Sequence, residues 1–442
     1  MNPGRISELR LTAFKSYTDV VVPLEPLTVF IGRNGSGKSN ALDALEVLSR
    51  LARGDEVRDA IEGNQRDAGP VRGGLDGCAP AGGDTFQLGV TLQTGLSEQV
   101  ELDVTVQIRP QVQIVAERLC ARMSTGRWAT LLDTREPSPH RADLDAVVWN
   151  GSRGRNPVLT FRSSHLLTAQ LPLRLAGKSA GERELLDIAQ AALSVLGGVF
   201  QLDPVPHLMR QYVAEQDVVL RRTAENLSAA VSRLEHDDKE RFGQLVDVVR
   251  SLPEYEVRSL DIGRGSFGEV MIALKERRGR QSVTVPARQM SDGMLRMLAI
   301  ATALLTGGGG LAVDTSAGGR AAALMLVIEE LENGLHPSQA AQLLRLVTQA
   351  SKEQGFQVVL TTHSPALLNA LAGDDHRGVI VVERERTSGR STARRLVDLP
   401  GYVRLMATSR LGDAVSAGKL AEAGQPPAAA QTDELDRLLG IG

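Results

Sequence analysis

The chain has 442 residues, of which 42% are hydrophobic and 23% are charged, a composition typical of globular proteins and unlike that of disordered chains. The formal net charge of -3 gives no overall attraction to nucleic acid, and an aromatic content of 3% leaves few side chains that could stack on bases. Two cysteines, Cys78 and Cys120, and the lack of any apolar stretch near the ~18 residues of a membrane span predict a soluble cytoplasmic protein without a membrane partner.

The first predicted elements are a strand, a glycine-rich loop and a helix. Residues 27–31 form a short apolar run, and leucines recur on one helical face over residues 40–51. Residues 53–84 are rich in glycine, aspartate and arginine without periodicity, which predicts a long surface loop. Alternating apolar and polar residues at 86–92 and 100–108 then predict the half-buried antiparallel strands of a β-rich lobe.

The loop between the first strand and helix reads GRNGSGKS and matches the phosphate-binding P-loop pattern. Its glycines let backbone N–H groups turn toward phosphate oxygens. Lys38 adds a positive charge at the β and γ phosphates, and the Ser39 hydroxyl is a ligand for Mg²⁺. The strand before the loop and the helix after it provide the context in which this pattern binds ATP. The predicted nucleotide-binding residues are Asn34, Gly35, Ser36, Gly37, Lys38 and Ser39.

The middle of the chain is predicted to be largely helical. One-face patterns occur at residues 182–196 and 222–252, without a heptad series long enough for a coiled coil. Ser291 and Gly293 stand before an apolar helix predicted for residues 294–305. Taken alone, these two residues are typical of a helix cap. Because they lie at a helix N-terminus, they also suit an anion.

Two carboxylates follow an unbroken apolar run at residues 321–328, which predicts a strand buried on both faces. With a P-loop in the same chain, Glu329 is predicted to hold Mg²⁺ directly or through water. Glu330 is predicted to orient or deprotonate the water that attacks the γ-phosphate. A further strand at residues 357–362 ends at His363, at the edge of a parallel sheet where ligands bind. For the two carboxylates, the alternative is a strand that merely exits into solvent. For His363, the alternative is a purely structural role.

Four motifs in this order resemble those of the ABC-type ATPase heads of RecF, SMC proteins and the OLD family, and the resemblance covers most of the chain. Residues 9–39 resemble the N-terminal strand pair and P-loop, including a Phe14-Lys15-Ser16 motif, and SDGMLR at 291–296 resembles the ABC signature. IEELENGLHP at 328–337 resembles the Walker B segment and D-loop, and TTHSP at 361–365 resembles the His switch. The resemblance adds Lys15 and Ser16 to the expected nucleotide-binding residues.

This resemblance implies an α/β fold of the P-loop NTPase class, an ABC-type head with a mainly parallel core sheet, an antiparallel β lobe and a helical signature lobe. It implies that Ser291 and Gly293 touch the γ-phosphate bound by the P-loop of a second chain, so that ATP joins two heads into a homodimer. It makes Glu330 the catalytic base and His363 the sensor of the γ-phosphate.

The predicted organisation begins with an N-terminal ATPase lobe at residues 1–165 and a helical and β insertion lobe at residues 166–290. A C-terminal ATPase lobe follows at residues 291–420, and a poorly ordered tail at residues 421–442. Glycines concentrated at residues 306–319 predict a second flexible insertion, and a short helix is predicted at residues 433–439. The segment after His363 lacks the spaced acidic residues of a two-metal nuclease such as a Toprim domain. A nuclease would therefore be a separate chain.

The sequence also contains features of other classes of protein. Residues 262–275 resemble the ATP-binding loop of a protein kinase, but no D-F-G motif follows, which favours a β-hairpin. Five arginines between residues 384 and 395 could contact double-stranded DNA, although Glu383 and Glu385 dilute their charge. The predicted function is an ATPase that dimerises around Mg-ATP and drives a separate effector protein in DNA repair or anti-phage defence. The alternative is an ATP-dependent switch or DNA-binding clamp with little turnover.

Overall fold

The computed structural model describes residues 4–424 apart from 64–68, 124, 137–142, 153, 253–255, 313–323 and 354. Strands dominate the first part of the chain. Its elements are β1 (Arg5–Phe14), β2 (Tyr17–Pro23), β3 (Leu27–Ile31), α1 (Lys38–Ala52), α2 (Val57–Glu62), β4 (Thr85–Gln93), β5 (Val100–Gln107), β6 (Gln113–Arg122), β7 (Trp128–Thr134), β8 (Asp143–Val148) and β9 (Val158–Arg162).

The middle of the chain contains both helices and strands, and strands and helices alternate toward its end. The middle elements are α3 (Leu167–Arg174), α4 (Ala180–Gly197), β10 (Val199–Leu202), α5 (Pro206–Met209), β11 (Val213–Ala214), α6 (Leu227–Asp237), α7 (Lys239–Arg250), β12 (Val257–Arg264), β13 (Glu269–Arg278), β14 (Gln281–Pro286) and α8 (Asp292–Thr306). The final elements are β15 (Met325–Ile328), α9 (Pro337–Glu353), β16 (Gln357–Thr361), α10 (Pro365–Ala370), β17 (Val379–Arg384), β18 (Ser391–Arg395), α11 (Tyr402–Thr408), α12 (Leu411–Ser416) and α13 (Lys419–Ala423).

The larger of two sheets has the strand order β10-β15-β16-β3-β17-β18-β2-β1-β4-β5-β6-β7-β8-β9. From β10 to β17 the neighbouring strands are parallel. From β2 to β9 every neighbouring pair is antiparallel. Strands from both ends of the chain therefore form one parallel core, and the antiparallel extension is the predicted β-rich lobe. The predicted fold class, α/β with a mainly parallel core, is confirmed.

The central strand β3 shows why the core strands are mainly apolar. Its five residues are all buried. Val29 and Ile31 pack into the hydrophobic core on one side of the sheet, and Phe30 packs into the core on the other side. Side chains alternate across a strand, so a strand that is covered on both faces is mainly apolar, and the buried Thr28 is the one polar residue of β3. β15 is apolar and buried throughout, whereas β16 is buried throughout but includes two polar residues.

A second antiparallel sheet contains β11, β12, β13 and β14. β12 and β13 form the hairpin that was predicted for residues 262–275 in place of a kinase loop. The Ile272 N–H donates a 3.1 Å hydrogen bond to the Ser228 hydroxyl, which fixes α6 against β13. The helix α8 packs among these elements, with Leu295 and Leu298 fully buried.

The prediction of a surface loop over residues 53–84 is wrong for part of that segment. The helix α2 lies within it, and Val71, Cys78 and Ala79 are buried in the core of the β-rich lobe. These few apolar residues are spaced by glycines, so they leave no periodic pattern for sequence analysis to detect. Their burial anchors the segment next to the P-loop helix.

Some predictions fall partly outside the described residues. The strand predicted for residues 321–328 is present as β15, which begins at Met325. Much of the glycine-rich insertion at 306–319 and nearly all of the predicted tail lie outside the described residues. None of the described helices combines the length and apolar character needed to cross a membrane.

Glu117 of β6 is a buried carboxylate, with 1% of its surface exposed. Its oxygens accept hydrogen bonds from the N–H groups of Leu167 (2.6 Å) and Thr168 (2.7 Å) and from the Thr168 hydroxyl (2.5 Å). It therefore caps α3, whose N-cap residue Leu166 has no side-chain acceptor. Burial raises the pKa of Glu117 to about 7, although these hydrogen bonds oppose the shift.

We expect the stability of the protein to fall as this carboxyl ionises. The unfolded chain releases the proton near a pKa of 4.5, whereas the folded chain holds it to about 7. The stabilising contribution is therefore complete below the unfolded pKa and is lost as the pH rises through 7. Relative to Glu117→Gln, which does not titrate, the wild type should lose roughly 3 kcal/mol across this interval. Urea unfolding of both proteins at several pH values measures the difference, and parallel curves would contradict it.

Candidate functional site

The P-loop, residues 32–37, connects β3 to α1 and packs tightly on the C-terminal strands. A Cβ atom on Gly32 would lie 2.2 Å from the carbonyl oxygen of Val382 in β17, and one on Gly37 would lie 2.4 Å from the Ser391 hydroxyl in β18. Gly37 also has a φ of 114°, which L side chains rarely adopt. Glycine is therefore required at both positions by close packing and by the turn itself.

Lys38 is the first residue of α1, where the N–H groups of the first turn have no partners within the helix. Its side chain is largely buried, and Nζ donates hydrogen bonds to the carbonyl oxygens of Gly32 (2.9 Å) and Arg33 (3.2 Å). Burial lowers the pKa of Lys38, while the charges of nearby carboxylates, led by Glu330, oppose the shift. A partly desolvated cation beside helix N–H groups favours a multiply charged anion.

Glu329 follows β15 and contacts the P-loop helix. The Ser39 hydroxyl donates a hydrogen bond to Oε1 of Glu329, and Arg72 contacts both carboxylate oxygens. Burial opposes ionisation of Glu329, but these hydrogen bonds and the charges of Arg72 and Lys38 outweigh it and hold the pKa of Glu329 below its ordinary value. An ionised carboxylate in contact with a hydroxyl supplies the oxygen ligands that Mg²⁺ prefers.

Glu330 has an unusual backbone conformation, with a φ of 48°. This left-handed region is uncommon for residues other than glycine. The Thr361 hydroxyl of β16 accepts a 2.8 Å hydrogen bond from the Glu330 N–H, and the Thr361 carbonyl oxygen accepts one of 3.2 Å from the Leu331 N–H. Local strain held by neighbouring strands is concentrated at functional sites in proteins. Here the two hydrogen bonds to Thr361 fix the backbone of Glu330, whose side chain is exposed.

His363 follows β16, and its N–H donates a 2.5 Å hydrogen bond to Oε1 of Glu332. Burial and the charge of Lys38 lower the pKa of His363, while the carboxylates of Glu332 and Glu330 oppose the shift. The imidazole is therefore neutral near pH 7. A neutral ring can donate a hydrogen bond from one nitrogen and accept one at the other.

The ends of the parallel strands open onto one cleft of about 280 Å³. Its lining residues combine the P-loop with the acidic and histidine-containing strand ends: Asn34, Gly35, Gly37, Lys38, Ser39, Asn40, Glu329, Glu330, Thr361, His363 and Arg384. Residues that are far apart in sequence therefore meet in this cleft. Ser39 and Glu329, for example, are 290 positions apart. The structure brings together most of the residues that were predicted for nucleotide, metal and catalysis.

Arg72 belongs to this site but was not identified from the sequence. Its Nη1 atom lies 2.7 and 2.9 Å from the two Glu329 oxygens, and Nη2 lies 3.0 Å from Oδ1 of Asp43. It lies in the segment that was interpreted as a surface loop. The available signal was local, because an apolar residue, Val71, precedes Arg72 and two glycines follow it, as in an anchored turn.

Lys15 and Ser16 lie behind the P-loop rather than along the cleft. The Lys15 ammonium lies 2.6 Å from Oδ2 of Asp43. The Ser16 hydroxyl lies 2.7 Å from the Ser391 hydroxyl and accepts a 2.8 Å hydrogen bond from the side chain of Asn40. Neither Lys15 nor Ser16 is among the residues that line the cleft. Lys15 contacts the P-loop helix through Asp43, and Ser16 contacts it through Asn40, which lines the cleft.

Ser291 and Gly293 lie at the start of α8 and do not line the cleft of their own chain. The exposed Ser291 hydroxyl accepts a 3.2 Å hydrogen bond from the Met294 N–H, as a helix cap does. Gly293 is buried, and a Cβ atom there would lie 2.3 Å from the carbonyl oxygen of Gly334. The start of α8, the predicted signature helix, therefore packs on the predicted D-loop and leaves Ser291 accessible.

The basic stretch near the C-terminus divides into two parts. Arg384 lines the cleft. Arg394 pairs with Glu383 at 3.0 Å, and Arg395 pairs with Glu25 at 3.2 Å. These ion pairs reduce the charge that this stretch offers to a DNA backbone.

Comparison with known proteins identifies one family that matches most of the chain. The family described as AAA domain, putative AbiEii toxin, Type IV TA system matches residues 27–369. This span contains the P-loop, the signature, the carboxylate pair and His363. The fold and the site define an ABC-type ATPase head of the RecF and SMC kind. The chain belongs to the AAA domain family that matches it.

Similarity to curated relatives is local. The DNA replication and repair protein RecF of Beutenbergia cavernae is 50% identical over 48 residues, which are 11% of this chain and 12% of RecF. Structural maintenance of chromosomes protein 1 of Arabidopsis thaliana is 41% identical over 64 residues, which are 13% of this chain and 5% of that protein. The chain therefore matches only a small part of the length of each of these relatives.

Among solved structures, an SMC head bound to the C-winged helix domain of ScpA superposes with a TM-score of 0.48 and 16% identity, covering 88% of this chain and 97% of that one. The SMC head domain from Thermotoga maritima gives a TM-score of 0.40 and 13% identity, covering 88% and 98%. The strand order of this chain and its family define the fold.

Proposed function

We propose that this chain binds ATP with Mg²⁺ in the cleft and hydrolyses the bond to the γ-phosphate. The observation that carries the proposal is the meeting of Lys38, Ser39, Glu329, Glu330 and His363 at the ends of parallel strands. A phosphate-binding loop, two carboxylates and a neutral imidazole supply the positioning and the electrostatic stabilisation on which phosphoryl transfer depends.

The residues present fit both a nucleoside triphosphate and a magnesium ion. The Ser36 hydroxyl is buried and has no hydrogen-bond partner within the described part of the chain. The first-turn N–H groups of α1 are donors for an anion. The Ser39 hydroxyl and the Glu329 carboxylate are hard oxygen ligands suited to Mg²⁺. When bound, Mg²⁺ would neutralise the negative charge of the phosphate oxygens.

Each residue then has a distinct task in the proposed reaction. Lys38, fixed across the loop, would bind the β and γ phosphate oxygens. Glu330, with its backbone held by Thr361, would orient a water molecule and accept its proton. His363 would donate a hydrogen bond from its neutral ring to the γ-phosphate. These three residues come from the segments that follow three different strands. The fold would therefore hold them near the ligand before it binds.

The signature residues support a site that is shared by two chains. Ser291 is exposed and does not line its own cleft, although its position at a helix N-terminus suits a phosphate. We therefore propose that ATP joins two heads into a homodimer, with Ser291 and Gly293 of one chain against the γ-phosphate in the other. Hydrolysis would release the heads. The lobe boundaries after residues 165, 290 and 420 stay predictions.

The proposed cellular role involves DNA, and the proposed location of the protein is the cytoplasm. RecF relatives are named DNA replication and repair proteins, and the family description names a putative toxin. We propose that closure of the heads drives a separate effector protein in DNA repair or anti-phage defence, with double-stranded DNA as a candidate ligand. The second candidate function is a switch with little turnover. This function is favoured by one observation, the contact of Arg72 with both oxygens of Glu329, because the contact occupies the carboxylate that would hold Mg²⁺.

The nucleotide site can be tested by replacing Lys38 with Ala. We expect this variant to bind Mg-ATP roughly ten- to a hundredfold more weakly, because the lost ammonium makes charge-assisted hydrogen bonds to phosphate. Lys178→Ala is the matched control, since Lys178 is an exposed lysine that does not line the cleft. Isothermal titration with a non-hydrolysable ATP analogue measures both affinities. Equal affinities in the two variants would contradict the assignment of the cleft.

A further inference from the structure

Arg72 connects two carboxylates that belong to different parts of the site. Its Nη1 atom contacts both oxygens of Glu329, at 2.7 and 2.9 Å. Its Nη2 and Nε atoms lie 3.0 and 3.2 Å from Oδ1 of Asp43. Asp43 lies four residues after Ser39 on α1, so the two residues share one face of that helix. The guanidinium therefore bridges the predicted metal-binding carboxylate and the P-loop helix.

The two ends of this bridge differ in how firmly they are held. The Asp43 side chain is 2% exposed, and its second oxygen pairs with the Lys15 ammonium at 2.6 Å. Lys15 also donates a 2.6 Å hydrogen bond to the carbonyl oxygen of Arg72. The Glu329 side chain is 27% exposed and lines the cleft. The guanidinium can therefore leave Glu329 while its contacts with Asp43 remain.

We propose that Arg72 is a positioning residue that holds Glu329 before Mg²⁺ binds and is displaced from Glu329 by the metal. This inference rests on the proposed function. A divalent cation between the Ser39 hydroxyl and Glu329 would stand close to the Arg72 guanidinium, and like charges at such separations repel strongly in a partly buried site. Arrival of the metal thus leaves Arg72 on Asp43 alone. Until then, Arg72 helps to keep Glu329 aligned toward Ser39.

The displacement is expected to loosen the segment that carries Arg72. This segment is tied to its surroundings by hydrogen bonds from the Val71 N–H to the Ile61 carbonyl oxygen (2.7 Å), from the Leu75 N–H to the Glu62 carboxylate (2.9 Å) and from the Lys15 N–H to the Cys78 carbonyl oxygen (2.9 Å). Loss of the contact with Glu329 removes its link to β15. The state of the metal site is thereby connected to residues 71–78 on the side of the β-rich lobe.

Hydrogen exchange of the full chain tests this displacement. In the wild type, Mg²⁺ together with the non-hydrolysable analogue AMP-PNP should raise amide exchange in residues 71–78, whereas AMP-PNP with a chelator should not. In Arg72→Gln the same amides should exchange at the raised rate without metal. The half-saturating Mg²⁺ concentration for AMP-PNP binding should fall by roughly three- to tenfold, because the competing cation is gone. The control is Arg58→Gln, which changes an exposed arginine of α2.

Each other outcome overturns the inference. Unchanged exchange in a wild type that binds Mg-AMP-PNP would contradict the displacement while leaving the proposed function intact. A higher half-saturating Mg²⁺ concentration in Arg72→Gln, but not in Arg58→Gln, would show that Arg72 supports the metal instead of competing with it. A wild type that does not bind Mg-AMP-PNP would contradict the proposed function, and the displacement with it.

Discussion

Replacing Glu330 with Gln is expected to slow phosphate release from ATP by about a hundred- to ten-thousandfold, the usual contribution of a general base. Glutamine keeps the size of the side chain but cannot accept the proton of the attacking water. The Glu330 backbone is fixed by its hydrogen bond to the Thr361 hydroxyl, so the substitution should leave the geometry of the cleft unchanged. Binding of Mg-ATP should persist, because Lys38, Ser39 and Glu329 are untouched.

The same variant is expected to accumulate a dimer. If ATP holds two heads together and hydrolysis separates them, a chain that binds without hydrolysing stays in the closed state. Light scattering with Mg-ATP should then give twice the mass of one chain for Glu330→Gln and a smaller average mass for the wild type. Parallel measurements of phosphate release with and without duplex DNA test the DNA-related role. A rise in wild-type turnover with DNA would favour repair or defence over a free-standing switch.

The control for this experiment is Glu98→Gln, which changes an exposed carboxylate of the β-rich lobe. It should retain wild-type turnover and mass. Normal hydrolysis by Glu330→Gln, together with a mass that never changes with nucleotide, would contradict both the base and the shared site. Loss of hydrolysis without a dimer would contradict only the proposal that ATP joins the heads.

The parts of the site that could be predicted from sequence are those set by single strands. A strand buried on both faces is mainly apolar, so β3 and β15 could be recognised as short apolar runs. The residue types directly after such strands lie at the ligand-binding edge of a parallel sheet. For this reason Lys38, Glu329 and His363 could be placed near one another without any knowledge of the long-range contacts.

The remainder depends on contacts between distant parts of the chain. Arg72 meets Glu329 across 257 positions of sequence, and its segment has no periodicity that would indicate burial. Lys15 is expected at the nucleotide because its motif resembles that of a family, and this expectation stays a prediction. In the folded chain its ammonium pairs with Asp43. Side-chain direction after a turn is decided by tertiary packing, which a motif does not specify. The ion pairs around Asp43 could therefore be found only in the folded chain.

Replacing Ser291 with Arg is expected to separate nucleotide binding from turnover. Ser291 does not line its own cleft, so the affinity of an isolated chain for Mg-ATP should change by less than about twofold. A large cation at the start of α8 should block approach of a second head and lower turnover by about a hundredfold or more. The lost cap costs about 1 kcal/mol, which thermal unfolding can measure separately. The control is Ser266→Arg, at an exposed hairpin tip.

A mixing experiment decides whether Ser291 acts on the other chain. Ser291→Arg retains its P-loop, and Lys38→Ala retains its signature, so each variant lacks what the other supplies. Alone, both should be nearly inactive. Mixed in equal amounts, they should regain part of the wild-type turnover, because one of the two sites in a mixed dimer combines an intact P-loop with an intact signature. Absence of any recovery, with both chains folded and a mixed dimer detected, would place the function of Ser291 within its own chain and leave α8 with a structural cap.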